Sequence, residues 1–101
     1  MSPADKELYK RTDEILHHVW DPIGVASTPA ARDEYHGYLP QAFRLLKKNE
    51  TPEAIADYLE SIAVERMGFN PSREHAHQVA TLLLEWKEVL AGKYSSQKKL
   101  I

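Results

Sequence analysis

The chemistry open to this 101-residue chain starts with its five histidines, which fall as His17-His18, His36 and the His75–His77 pair. Histidine is the commonest metal ligand and general base, so spacing decides between chemistry and surface. Successive residues on a helix point roughly 100° apart, and residues one or two apart do not face each other. Neither pair therefore converges on one ion. The absence of cysteine removes a thiolate ligand, a thiol nucleophile and any disulfide. No metal and no cofactor is expected. Asp13 and Glu14 lie four positions before His17 and His18. Helical phasing turns both rings away from the apolar stripe, as solvated helix contacts. His77 faces out, and His75 sits at the edge of a buried stripe as a hydrogen-bonded ring.

Arg66 is the cation with the most informative position. It continues the stripe Ile55–Leu59–Ile62 by one turn, so it points inward at a helix end and needs a carboxylate or several carbonyls. Asp21 and Glu34 are the candidate partners, and Asp21 is the expected one, because a loop carboxylate can adjust its position while a helix-borne one cannot. Asp21 opens the turn Asp21-Pro22-Ile23-Gly24, whose Asp, Pro and Gly positions suit a type I turn. Pro22 stops the preceding helix and frees Trp20 to plug the end of the core. No serine or threonine has an evident base partner, so no catalytic residue is assigned.

Four cap-proline pairs mark the elements that would position these residues: Ser2-Pro3, Thr28-Pro29, Thr51-Pro52 and Asn70-Pro71. A side-chain oxygen that caps free amides precedes a proline suited to the first helical position. The first predicted helix spans about 3–20 with the stripe Leu8, Thr12, Ile15, Leu16 and Val19. The second runs from Pro29 to about Lys48 through Ala31, Tyr35, Tyr38, Leu39, Ala42 and Leu46. The third runs from Pro52 to about Met67, with Gly68 as its stop. The fourth runs from Pro71 to about Ala91 through Ala76, Val79, Leu83, Trp86 and Leu90, and stops at Gly92. Pro40 lies inside the second helix, where it removes a hydrogen bond and crowds the preceding turn. The stripe stays in phase across it, which predicts a helix kinked near Pro40 rather than two short ones. All four segments show three-and-four spacing and none alternates with period two.

The expected fold is all-α, a four-helix antiparallel up-down bundle over residues 1–92, followed by a mobile basic tail at 93–101. Short connections favour antiparallel neighbours. That topology gathers Trp20, Asp21, Arg32, Tyr35, His36, Arg66 and His75 at one end, as a candidate binding cluster for an anion or carboxylate. Lys47, Lys48, Trp86 and the termini collect at the other.

The run Ile15-Leu16-His17-His18-Val19-Trp20-Asp21-Pro22-Ile23-Gly24 adds a further indication, with Ala31-Arg32-Asp33-Glu34-Tyr35 and Tyr38-Leu39-Pro40 after it. Together with Glu65-Arg66-Met67-Gly68 and Leu82-Leu83-Leu84-Glu85-Trp86, it resembles a group of small uncharacterised bacterial proteins with a Trp-Asp-Pro-Ile-Gly motif. At that motif it is similar to a helical, immunity-protein-like family of unknown function. The resemblance covers roughly residues 13–88. It implies a helical fold and a binding role, and it carries over no site residue.

A net charge of −2 leaves no electrostatic footprint for nucleic acid or for an anionic membrane. An apolar content of 43% is too high for a disordered chain. No apolar run approaches ~18 residues and the first residues lack a signal-peptide pattern, so a cytoplasmic protein is expected. The leading functional expectation is a small non-catalytic protein-binding or regulatory module. The alternative is a small-molecule or anion-binding domain, or an enzyme, using the cluster at the Trp20 end. Val64 and Leu84 fall roughly opposite their helices' core stripes and, together with Leu82, mark a candidate homodimer face.

Overall fold

The computed structural model describes residues 2–21, 24, 27–65 and 73–99, with side chains as far as Tyr94. Among the described residues four α-helices carry the fold: α1 (Pro3–Ile15), α2 (Leu39–Lys47), α3 (Pro52–Glu65) and α4 (Arg73–Lys99). Among the described residues there is no strand. A π turn, Leu16–Trp20, extends α1, and two 3-10 turns, Pro29–Ala31 and His36–Tyr38, precede α2.

Two of the predicted starts form as their side chains dictate. Ser2 Oγ accepts from the Asp5 amide and Thr51 Oγ1 from the Ala54 amide, each at 3.1 Å. These bonds satisfy amides that the first helical turn would otherwise leave open. The Asn70-Pro71 start and the Gly68 stop lie outside the described residues.

The second predicted helix is not one kinked rod. Thr28 makes no side-chain cap bond, and Pro29 opens only a three-residue 3-10 turn. The α-helix begins at Leu39, with Pro40 in its first turn. Proline there removes an amide that no helical carbonyl would receive, so it starts a helix where a kink was expected. α2 ends in a Schellman arrangement: the Asn49 amide donates to Leu46 O at 3.2 Å and the Glu50 amide to Leu45 O at 3.3 Å. Asn49 supplies the left-handed residue with φ 60°. Lys87, on α4, donates to the Leu46 carbonyl and to Asn49 Oδ1, placing a cation on the negative end of α2. Burial, then the neighbouring Lys47, pushes the Lys87 pKa down.

The fourth helix does not stop at Gly92 but continues to Lys99. Lys93 and Tyr94, at its far end, both donate to Glu7 Oε1 on α1, at 3.0 and 2.8 Å. Most residues of the predicted stripes form the core, while Tyr38 and Trp86 pack against it partly buried and Ala31 is half-buried. Leu8, Thr12, Ile15, Leu16, Tyr35, Leu39, Ala42, Leu46, Ile55, Leu59, Ile62, Ala76, Val79, Leu83 and Leu90 are buried, and α4 packs against both α3 and α1.

Candidate functional site

The end of α1 differs from the predicted helix in one respect with large consequences. The Asp21 amide donates to Leu16 O at 3.1 Å, an i to i+5 bond. A π turn takes more residues per rotation than an α turn, so the residues at its end lag their α-helical angle. Trp20 therefore swings into the core at 4% exposure, while Val19, expected in the stripe, stands 42% exposed. His17, expected in solvent, is buried at 2%. Its ring lies edge-on to His18 at 4.5 Å and 6.4 Å from the Tyr35 ring. Its Nδ1 has no hydrogen-bond partner among the described residues. The chain leaves the turn through Asp21 in the left-handed region, φ 33° and ψ 61°, a conformation costly for an L-residue but one that Asp tolerates better than most. Gly24 N then donates to Asp21 O at 3.2 Å, the closing bond expected of a turn over 21–24. Pro22 and Ile23 lie outside the described residues.

Polar contacts tie Arg32, Tyr35 and His36 to α1 and to the Asp21 turn, and His75 to the end of the π turn. Arg32 donates through both guanidinium nitrogens to the Asp13 carboxylate, at 3.0 and 2.9 Å. That bond raises the Arg32 pKa above its ordinary value. His36 Nε2 lies 3.1 Å from Asp13 Oδ1. Tyr35 OH donates to Asp21 Oδ1 at 2.7 Å while its ring packs 5.3 Å from Trp20. His75 Nε2 lies 3.1 Å from the Trp20 carbonyl. A carbonyl oxygen only accepts, so Nε2 carries the proton.

Of the predicted cluster, the structure brings together Trp20, Asp21, Tyr35 and His75. Arg32 and His36 converge instead on Asp13, which helical spacing pairs with His17. Arg66, and with it the expected Arg66–Asp21 pairing, lies outside the described residues. Glu34 is exposed. Among the described residues no three metal-ligating side chains come together. The Thr12 and Ser61 hydroxyls donate to carbonyls of their own helices, Leu8 O and Tyr58 O, both at 2.7 Å, so neither is an activated nucleophile.

Beside this end lies an open cleft of about 230 Å³ lined by Gly37, Tyr38, Tyr58, Ser61, Ile62 and Glu65. Tyr58 OH donates to Tyr38 O at 3.2 Å, joining two of its lining residues. Sites for small molecules usually enclose ~300–1,000 Å³ and are mostly apolar. This cleft is smaller, open, and rimmed by a carboxylate and tyrosines. Sequence reasoning missed it, because only packing brings Tyr58 and Glu65 of α3 beside Tyr38. Comparison with known protein families, with curated proteins and with solved structures finds no match to this chain.

Proposed function

We propose that this chain is a small non-catalytic protein-binding or regulatory module, built as an antiparallel up-down four-helix bundle and working in the cytoplasm. The pairings along the helices support the up-down arrangement. Asp5 meets Lys47 and Tyr9 meets Phe43, so α1 and α2 run in opposite senses. Glu7 meets Lys93 while Trp20 meets His75, so α1 and α4 do the same.

The observation that carries the functional reading is the engagement of the polar groups at the Trp20 end. Arg32 and His36 face Asp13, Tyr35 faces Asp21, and His75 faces a backbone carbonyl. An anion or carboxylate ligand would have to compete with Asp13 for the Arg32 guanidinium, which weighs against the small-molecule and enzyme alternative. The resemblance to an immunity-protein-like family supports the same reading. The Tyr38–Tyr58–Glu65 cleft provides aromatic surface with an acidic rim, the composition of a protein contact rather than of an enclosed ligand site. Val64 is 43% exposed on the adjacent turn of α3, while Leu82 and Leu84 lean partly into the core. A homodimer through Val64, Leu82 and Leu84 would therefore centre on Val64.

Affinity capture with quantitative mass spectrometry tests the reading. A specific protein retained by the wild type should be lost on Glu65→Arg, a surface change that leaves thermal stability intact. Equal capture by both proteins, or saturable binding of a small anion at Arg32, would overturn it.

A further inference from the structure

The segment 16–20 carries two incompatible helical phases. In α-helical phase, Val19 joins Leu8, Thr12, Ile15 and Leu16 in one inward stripe and His17 points to water. In the structure the first four are buried, but Val19 is 42% exposed, and Trp20 and His17 are inside at 4% and 2%. The π bond from the Asp21 amide to Leu16 O makes the difference. We infer that this segment is a two-register switch: neutral His17 holds the π turn, and protonated His17 drives it to the α-helical phase, with His17 in water and Val19 in place of Trp20.

The orphan nitrogen supplies the physical reason. A neutral imidazole leaves only a lone pair unmet at Nδ1. Protonation turns that atom into a donor on a cation, and a buried charged donor without an acceptor is far more costly. The groups facing the turn do not relieve it. His18, on the same turn, stands edge-on at 4.5 Å. From the connecting segment Tyr35 OH gives its proton to Asp21, and Arg32 and His36 hold Asp13; neither the Tyr35 oxygen nor the Asp13 or Asp21 carboxylate accepts from His17 Nδ1 in this register. From α4, His75 holds the Trp20 carbonyl. Rotation into water is the remaining outlet, and Val19 is the apolar side chain already in phase to fill the gap. Asp21, left-handed at φ 33°, returns to an ordinary conformation as the register shifts, which lowers the cost of the second state.

The full chain, carrying Trp86→Phe so that Trp20 alone reports, is titrated from about pH 8 to about pH 5, the range in which histidines change charge. A reversible red shift of Trp20 emission with retained helical circular dichroism is expected. His17→Phe, which cannot take a proton, should hold the neutral spectrum throughout. Val19→Lys separates a register change from simple loop opening. It is harmless while residue 19 is in solvent but places a charge in the core of the α-helical phase, so the shift should vanish. The proposal is overturned if the wild type shows no shift, or if either variant titrates as the wild type does. Should His17→Phe fail to fold, NMR of the parent protein decides. The His17 ring and the Trp20 indole N–H should move with one midpoint, and a titrating ring beside an unmoved indole overturns the switch.

Discussion

Asp13 and Tyr35 hold the connection between α1 and α2, each from one end. Asp13 takes a two-pronged guanidinium and an imidazole, and Arg32 comes from 19 residues away. Nothing in local spacing announces that role, because rules for helix neighbours see only side chains three or four apart. Spacing alone therefore offers Asp13 to His17, along the helix. Tyr35 was legible as an inward residue and as a member of the cluster, but its hydroxyl partner was not. The Tyr35 hydroxyl reaches the Asp21 carboxylate at 2.7 Å from a ring that is 2% exposed. Tyr35→Phe keeps the ring against Trp20 and removes the hydroxyl that donates to Asp21. Hydrogen bonds to charged groups are worth roughly 1.5–3 kcal/mol, so a loss toward the lower end is expected in urea unfolding, because Asp21 retains some access to water. Faster amide exchange at Gly24 should accompany it. Unchanged stability and exchange would remove Tyr35 as the anchor of the turn.

At the scale of elements, two kinds of signal were readable. Ser2 and Thr51 cap the helices that they announce, and the stripes of α3 and α4 face the core as their periodicity requires. What failed was punctuation decided by competition. Thr28-Pro29 has the same local chemistry as Thr51-Pro52, yet Gly37 and Pro40 come within a dozen residues of it, and only short 3-10 turns form. The π turn escaped because an α-helical phase fits the same residues, with Val19 standing in for Trp20. Gly92 reads as a stop, but α4 passes through it. Glycine inside a helix costs only roughly 0.5–1 kcal/mol relative to alanine, which packing against α1 on both sides outweighs. The sign of one substitution distinguishes the two roles. Gly92 has ordinary helical φ and nothing within 4 Å of an added Cβ, so Gly92→Ala should raise stability by about 0.5–1 kcal/mol. A lower melting temperature would mean that the helix ends there in a left-handed cap.

At the scale of the molecule, the far end of α4 closes on the first turns of α1. Glu7 meets Tyr94 and Lys93 across 87 and 86 residues of sequence. The Tyr94 hydrogen bond first, then Lys93, holds the Glu7 carboxyl below its ordinary value of 4.5. The same bonds raise Lys93 and Tyr94, as donors that keep their protons. Linkage sets the sign. A carboxyl depressed in the folded state binds its proton less readily there than in the unfolded chain. Its contribution is complete above the unfolded value and is lost as pH falls through the folded one. The α1–α4 closure should therefore loosen in acid below the ordinary carboxylate range, separately from any change near the π turn, which lies at the other end of α1. Tyr94→Phe removes the largest cause while leaving Lys93 in place. The Glu7 side-chain carboxyl, followed by carbon NMR, should then titrate at higher pH than in the wild type, and stability should depend less on pH across the acid range. An unmoved Glu7 titration would assign the depression to Lys93 alone and leave Tyr94 as packing.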